Sequence, residues 1–252
     1  MPELPEVETY ARYFAKHALG QRVKRVRVVD ERILADIRKE TFVRKLRGRT
    51  FTDVRRHGKH LFANAGTTWL HLHFGMTGDL SYYRDEPPRF AKVIFDFDGG
   101  AHLAFEDMRL FGLADLVDSP HAFIRERNLG PDPLDLSPKS FAKLLENRRG
   151  AIKSLLMTQD IIAGLGNLYA DEILFQTSIH PRRPVDRLRD AEKRALYTTM
   201  RRILKTAIAR DLPPRALFHH RNTDEPCPRC GGTLRKSVVF GRTTYFCARH
   251  QV

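Results

Sequence analysis

Two short chelating pairs close the sequence, Cys227-Pro-Arg-Cys230 and Cys247-Ala-Arg-His250, with sixteen residues between them. Zinc takes four Cys or His ligands in a tetrahedron, and two such pairs on tight turns, separated by a hairpin-length spacer, supply them. Residues 238–240 and 243–246 can pair as the strands of that hairpin. All three cysteines of the chain lie in this tail. That is the wrong number for a disulfide framework and points to a local metal site in a reducing compartment. The expectation is one structural Zn2+ on Cys227, Cys230, Cys247 and His250, with His219 or His220 competing for the fourth place. No open coordination position is implied, so the metal does no catalytic work. A hairpin this small needs the metal in order to fold.

The charge balance indicates the kind of partner. The chain carries 44 Lys and Arg against 30 Asp and Glu, a formal net charge of +14. A basic excess of this size draws polyanions by counterion release, which points to nucleic acid without separating an enzyme from a passive binder. No apolar run of about 18 residues occurs, so no transmembrane helix is expected. Glu3, Glu6 and Glu8 with no apolar core segment exclude a signal peptide. A cytoplasmic protein is expected, associated with the nucleoid in a bacterium.

The elements that would position these groups follow from periodicity. Pro5 suits the first turn of a helix, with Glu6 and Glu8 at its positive end. Val7, Tyr10, Ala11, Phe14 and Ala18 recur at helical spacing, and Gly20 ends the element. Residues 22–117 read mainly as strands, among them 23–29, 51–57, 59–63, 69–74, 92–97 and 101–105. In 69–74, Leu70, Leu72 and Phe74 share one face, and His71 and His73 share the other. No helical pattern separates these strands, so antiparallel pairing and a β-sandwich are expected. Residues 118–136 contain three prolines and read as a linker. Ser137-Pro138 opens a helix carrying Phe141, Leu144 and Leu145. Two short helices at 152–158 and 167–175 flank a turn-rich segment around Gly164 and Gly166, and a longer helix spans about 190–209. The expected class is α+β multidomain: a sandwich at 1–117, the linker, a helical domain at 137–215 and a zinc hairpin at 222–252.

The opening Met-Pro-Glu-Leu-Pro-Glu-Val-Glu-Thr resembles the N-terminus of the formamidopyrimidine-DNA glycosylase family. Further segments follow in that family's order: His57-Gly58-Lys59, Phe74-Gly75-Met76-Thr77-Gly78, the run Gly164-Leu-Gly-Asn-Leu-Tyr-Ala-Asp-Glu172, and the zinc hairpin with Gly241-Arg242. The resemblance spans nearly the whole chain. It implies a β-sandwich, a helix-two-turn-helix domain and a zinc finger, with DNA in the cleft between the domains. It also implies a bifunctional glycosylase and abasic-site lyase. Removal of Met1 frees the Pro2 secondary amine. An α-amino group has a pKa of about 8, so part of it is neutral and nucleophilic at neutral pH. Attack on the deoxyribose C1′ expels the base and leaves a cationic iminium, an electron sink for β- and then δ-elimination.

By the same resemblance Glu3 protonates the sugar ring oxygen, Lys59 contacts phosphate and assists elimination, and Arg242 grips the phosphate next to the lesion. Glu6 and Glu172 are weaker candidates with a structural alternative. Asn167, at a helix start, offers its amide to a phosphate. His73 resembles a further phosphate contact, and Arg148 and Lys153 match basic family positions before the helix-two-turn-helix. Extruding a base leaves a hole. Met76, Arg109 and Phe111 match the positions that fill it, Phe111 as a wedge and Arg109 on the orphaned partner base. Core packing is the alternative for Met76 and Phe111.

The chain departs from the family pattern in places. His250 replaces the usual last cysteine. Phe90 and Lys92 stand where a His-x-His run is common, and Leu110 where a second arginine is common. The segment 209–227 is short, whereas purine-specific members carry there a longer loop that covers a flipped 8-oxoguanine. The readings that remain are a glycosylase for formamidopyrimidine and 8-oxoguanine-type purines, an endonuclease VIII-like enzyme for oxidised pyrimidines or hydantoins, and a non-enzymatic binder of damaged DNA. Double-stranded DNA with oxidised bases or abasic sites is the expected partner, and the protein is expected to be a monomer.

Overall fold

The computed structural model describes residues 2–211, 213, 217–221 and 225–252. It divides into two compact units, Met1–Asn128 and Leu129–Val252. The first opens on helix α1 (Leu4–Ala18), with Glu3 at its N-cap and proline in its first turn. Val7, Ala11, Phe14 and Ala18 are buried, as the helical spacing requires. Tyr10 is only partly buried and stacks on Phe74 at 4.3 Å. Eight strands follow: β1 (Val23–Val28), β2 (Asp53–His57), β3 (His60–Asn64), β4 (Trp69–His73), β5 (Gly78–Tyr83), β6 (Ala91–Phe97), β7 (His102–Asp107) and β8 (Leu113–Val117). They form two four-stranded antiparallel sheets, ordered β1-β6-β7-β5 and β2-β3-β4-β8. The core combines residues of both sheets, among them Val93, Phe95 and Phe105 with Leu61, Leu70 and Leu72. This is the expected antiparallel sandwich.

Two helices in this unit differ from the sequence expectation. Helix α2 (Lys39–Leu46) interrupts the strand-rich segment and sends Phe42 and Leu46 into the core. Helix α3 (Pro120–Glu126) lies inside the stretch read as a linker. The Ser119 hydroxyl caps it by accepting the Ala122 N–H at 3.0 Å, and Pro120 stands in its first turn. The same Ser-Pro pattern that announced the helix at 138 was present here, among prolines that read as breakers. Its Phe123 ring lies 4.3 Å from His71. The outer face of β4 is therefore covered: His71 is 1% exposed. The alternation of β4 set the facing of its residues correctly, but not their exposure.

The second unit holds helices α4 (Pro138–Leu145), α5 (Ile152–Met157), α6 (Asn167–Gln176) and α7 (Asp190–Arg210), then strands β9 (Leu234–Val239) and β10 (Arg242–Cys247). The turns between α5 and α6 are held by one side chain. Gln159 donates to the carbonyls of Met157 at 2.9 Å and Leu165 at 2.8 Å and accepts the Gly164 N–H at 2.9 Å. Helix α6 is buried on nearly all sides, and Tyr169 through Phe175 are buried in sequence, Asp171 and Glu172 among them. The β9–β10 hairpin packs on it, sharing a cluster of Phe175, Leu217, Cys227, Leu234 and Cys247. Gln251 ties the chain end down by donating to the Ile179 carbonyl at 3.0 Å. The hairpin is thus part of the helical body. No helix of the described residues is long and apolar enough to cross a membrane.

Candidate functional site

In the first unit the N-terminal groups sit where α1 begins. Pro2 is half-buried and Glu3 is 3% exposed. The Glu6 carboxylate accepts the Glu3 N–H at 2.8 Å, which satisfies a donor at the helix start and orients Glu3. Glu6 therefore has a structural task. One turn on, Glu8 accepts from the Arg56 guanidinium at 2.8 Å, and Arg56 also donates to the Gly58 carbonyl at 3.3 Å. Arg56 lies on β2, so this bond ties α1 to the β2–β3 hairpin whose two-residue turn is Gly58-Lys59. Gly58 takes the left-handed φ of +55° that the turn needs. Lys59 is 8% exposed. Its ammonium is held against the unit and does not sweep through solvent.

A second group of candidates converges through Asp107, which has no counterpart among the residues singled out from the sequence. Asp107 ends β7 and is fully buried. Its carboxylate accepts the Thr77 hydroxyl at 2.5 Å, the Arg109 N–H at 3.1 Å and the Gly112 N–H at 2.6 Å. Burial alone would push this carboxyl up, but those hydrogen bonds outweigh it and hold it below the usual range. The 74–77 turn and the 108–112 loop are thereby locked together. Their backbones nearly touch: a Cβ on Gly75 would lie 2.3 Å from the Phe111 carbonyl carbon. Leu110 adopts a left-handed φ of +56°, a strained conformation for a branched side chain. The side chains left outside are the expected ones. Met76 is 45% and Phe111 53% exposed, and the Arg109 guanidinium lies 4.6 Å from the Phe111 ring. Core packing is excluded as their reason for being apolar. Asp107 gave no local signal because Thr77 lies thirty residues away from it in the chain.

His73 sits at the end of β4. Its Nδ1 accepts the Gly75 N–H at 3.2 Å, so the neutral ring carries its proton on Nε2. Burial and the Lys59 ammonium lower its pKa to about 4. At neutral pH it is an uncharged ring with Nε2–H as its donor. Behind it, His60 Nδ1 lies 2.9 Å from His71 Nε2. Burial, then the neighbouring His73 and Arg127, brings His71 to about 3, and burial also holds His60 well below its ordinary value.

In the second unit, Asn167 opens α6 and its amide donates to the Thr243 carbonyl at 2.9 Å on β10. Arg242, one residue earlier, is exposed. The helix start and the hairpin are thus bonded directly. Arg148 is exposed and its guanidinium donates to the Leu144 carbonyl at 2.9 Å. Lys153 requires a correction. It was expected on DNA, but it is 0% exposed and its ammonium lies 2.7 Å from the Asp171 carboxylate and 2.6 Å from the Thr244 hydroxyl. A phosphate reaches it only by dismantling this core. Asp171 is equally buried and also takes the Arg221 guanidinium at 3.0 Å. Two cations flank one carboxylate, so removing a partner strands a buried charge. Glu172 accepts the Leu217 N–H at 2.9 Å. Asp171 and Glu172 thus anchor the segment after α7 at Arg221 and Leu217. Within the short 209–227 segment, residues 212, 214–216 and 222–224 lie outside the described residues.

The Cys and His ligands also converge. Cys227, Cys230 and Cys247 Sγ and a His250 ring nitrogen all lie within 4.8 Å of one another. The Cys227–His250, Cys230–His250 and Cys230–Cys247 separations are each 3.5 Å. Those are the edges of a tetrahedron around an ion with bonds of about 2.0–2.3 Å, the zinc values. The His250 Nε2 faces the Phe175 carbonyl at 3.3 Å, which leaves Nδ1 as the ligand atom and fixes the ring. His220 instead pairs with Glu225 at 2.7 Å. The four residues fit a structural zinc and leave no place on it for substrate.

Comparisons with known proteins agree with this arrangement. The formamidopyrimidine-DNA glycosylase N-terminal domain matches residues 1–114, the H2TH domain of the same glycosylase residues 129–213, and the zinc finger found in FPG and IleRS residues 224–249. The chain is 36% identical over 272 residues to a formamidopyrimidine-DNA glycosylase of Symbiobacterium thermophilum, covering 100% of this chain and 89% of that protein. Among solved structures it resembles the Lactococcus lactis enzyme bound non-covalently to DNA with an abasic site, at a TM-score of 0.89 and 30% identity over 99% of both chains. It also resembles MutM in complex with DNA carrying carbocyclic 8-oxo-G, at a TM-score of 0.91 and 29% identity over 99% of both chains.

Proposed function

This chain belongs to the formamidopyrimidine-DNA glycosylase family, and from that premise we propose which of its residues carry the reaction and how. The protein is a DNA glycosylase for oxidised bases, with double-stranded DNA as its partner and one structural zinc. With Met1 removed, the Pro2 amine nitrogen attacks C1′ of the damaged nucleotide. The new N–C1′ bond forms as the bond to the base breaks, and the base leaves with a proton. Glu3 protonates the ring oxygen as the sugar opens to an iminium at C1′. Because the amine is secondary, the iminium has no proton to lose and stays cationic. Loss of a C2′ proton then expels the 3′ phosphate, and a second elimination expels the 5′ phosphate, with Lys59 and Arg242 neutralising the departing groups.

The observation that carries this reading is the exposed trio Met76, Arg109 and Phe111, fixed on two interlocked loops by the buried Asp107 carboxylate. Folding gains nothing from two large apolar side chains in water, and a duplex missing one extruded base needs them. Asn167, Arg148, His73 and Arg242 complete the backbone contacts. His73 acts there as a neutral donor. The zinc holds the hairpin that carries Arg242. The site of action is the chromosomal DNA of the cytoplasm, the nucleoid in a bacterium.

The test is borohydride reduction in the presence of duplex DNA containing an abasic site, followed by peptide mass analysis. The expected product is a covalent DNA adduct on Pro2, with both β- and δ-elimination ends. An adduct on a lysine overturns the mechanism. Running the same assay on formamidopyrimidine, 8-oxoguanine and thymine glycol opposite cytosine or adenine orders the substrates.

A further inference from the structure

The tip of the zinc hairpin carries a residue that folding does not explain. Two residues, Phe240 and Gly241, join β9 to β10 and close on the Val239–Arg242 pair. Both are left-handed, with φ of +52° and +66°. That turn favours Asn-Gly or Gly-Gly, and a bulky aromatic in its first place is strained. Burial does not compensate, since Phe240 is 60% exposed, and Val238 beside it 62%. Among the described residues Phe240 takes part in no aromatic or cation–π contact. The tip is nevertheless well supported. Arg182 donates to the Val238 carbonyl at 2.9 Å, Asn167 donates to the Thr243 carbonyl at 2.9 Å, and the zinc ligands hold the base of the hairpin. Arg242 follows the turn directly and Arg182 is bonded to the Val238 carbonyl, so two exposed cationic residues lie next to Phe240 in the hairpin tip.

Strain at an exposed aromatic on a rigid, cationic tip indicates a ligand with an apolar face beside negative charge. We infer that Phe240 is a DNA-binding residue whose ring packs on the apolar face of a nucleotide, base or deoxyribose, adjoining the phosphate held by Arg242. A nucleotide offers both features within one residue's reach, and every base presents a face that an aromatic ring can stack on. The inference rests on the phosphate role proposed for Arg242.

The test compares full-length wild type with Phe240→Asn, Phe240→Gly, Phe240→Tyr and Arg242→Ala. The readouts are zinc content, melting temperature, and affinity for a duplex bearing a tetrahydrofuran abasic analogue. Asparagine and glycine tolerate the left-handed turn, so both variants are expected to keep zinc and to melt at or above the wild-type temperature. Their affinity for the abasic duplex is expected to fall by about tenfold, the scale of one lost stacking contact. Phe240→Tyr should bind like wild type. Unchanged affinity in the Asn and Gly variants overturns the inference, and so does a lower melting temperature, which would make Phe240 a structural residue. If Arg242→Ala binds as well as wild type, the phosphate role fails and this inference falls with it. If Arg242→Ala weakens binding and the Phe240 variants do not, only the inference fails.

Discussion

At the residue scale, residue type and surroundings part company most clearly at the histidines. By sequence His71 and His73 share the face of β4 opposite Leu70, Leu72 and Phe74, and His73 resembles a phosphate contact. In the fold both are neutral at ordinary pH, because burial disfavours their charged forms. That has a consequence for stability. The unfolded chain protonates both below its ordinary pKa of about 6.5, whereas the folded protein resists until about 4 for His73 and about 3 for His71. Their contribution is fully present above pH 6.5 and is lost as pH falls toward those values. The expected slope in that window is about 1.4 kcal/mol per pH unit for each histidine. Melting curves between about pH 7 and pH 4 should show it, and His71→Phe should melt with a visibly shallower slope. Equal slopes for the two proteins would mean that His71 is not held neutral. At this scale the sequence did identify the chemistry of Cys227, Cys230, Cys247 and His250, because chelating pairs keep their meaning wherever the chain puts them.

At the element scale, function depends on loops joined across the sequence. The 74–77 turn and the 108–112 loop share Asp107 and leave no space at Gly75. Gly75 also needs its left-handed φ of +55°. Gly75→Ala should therefore force the loops apart and misplace Met76, Arg109 and Phe111. Strain of this kind is on the order of 1–3 kcal/mol and falls on the trio. The expected result is selective: excision of a damaged base paired in duplex DNA falls by at least about tenfold, while cleavage at a preformed abasic site, which needs no base extruded, falls much less. Single-turnover rates on the two substrates decide it, and equal losses on both would remove the trio from base extrusion. Helices α2 and α3 were missed at this scale for a physical reason. Each is eight residues or fewer, and what stabilises it is the sandwich face it covers rather than its own periodicity.

At the scale of the whole molecule, the charge of +14 acts as a sum. Each phosphate neutralised releases counterions, so affinity for undamaged duplex should fall steeply with salt, by about three to five decades between 50 and 200 mM if six to ten phosphates are held. Arg148 is exposed, and its guanidinium reaches back to the carbonyl of Leu144 on its own segment, so its charge stays at the surface. Arg148→Ala should lower the slope of log affinity against log salt by about 1, whereas Lys153→Met should leave that slope alone and reduce stability by about 3–5 kcal/mol, since it strands the Asp171 carboxylate beside Arg221 only. Titrations at several salt concentrations, with urea unfolding of the same variants, separate the role of the arginine from that of the lysine.

The sequence by itself determined the longer helices, the antiparallel sandwich, the zinc ligands and the family's motif residues. Each of these is written in local spacing: period 2, period 3.6, paired chelators, a run of nine residues around Asn167. Only the tertiary structure decided which charged side chains face solvent and which are consumed by the fold. Lys153 and Arg148 are both basic residues near α5, and nothing local separates them; one meets Asp171 and Thr244 in the core, and the other meets water. Asp107 has no signature either, because its task is to join its own loop, through the Arg109 and Gly112 N–H groups, to Thr77 on a loop thirty residues away. Burial and long-range pairing depend on which segments meet, and that is set by the packing of the sheets and helices rather than by any stretch of the chain alone.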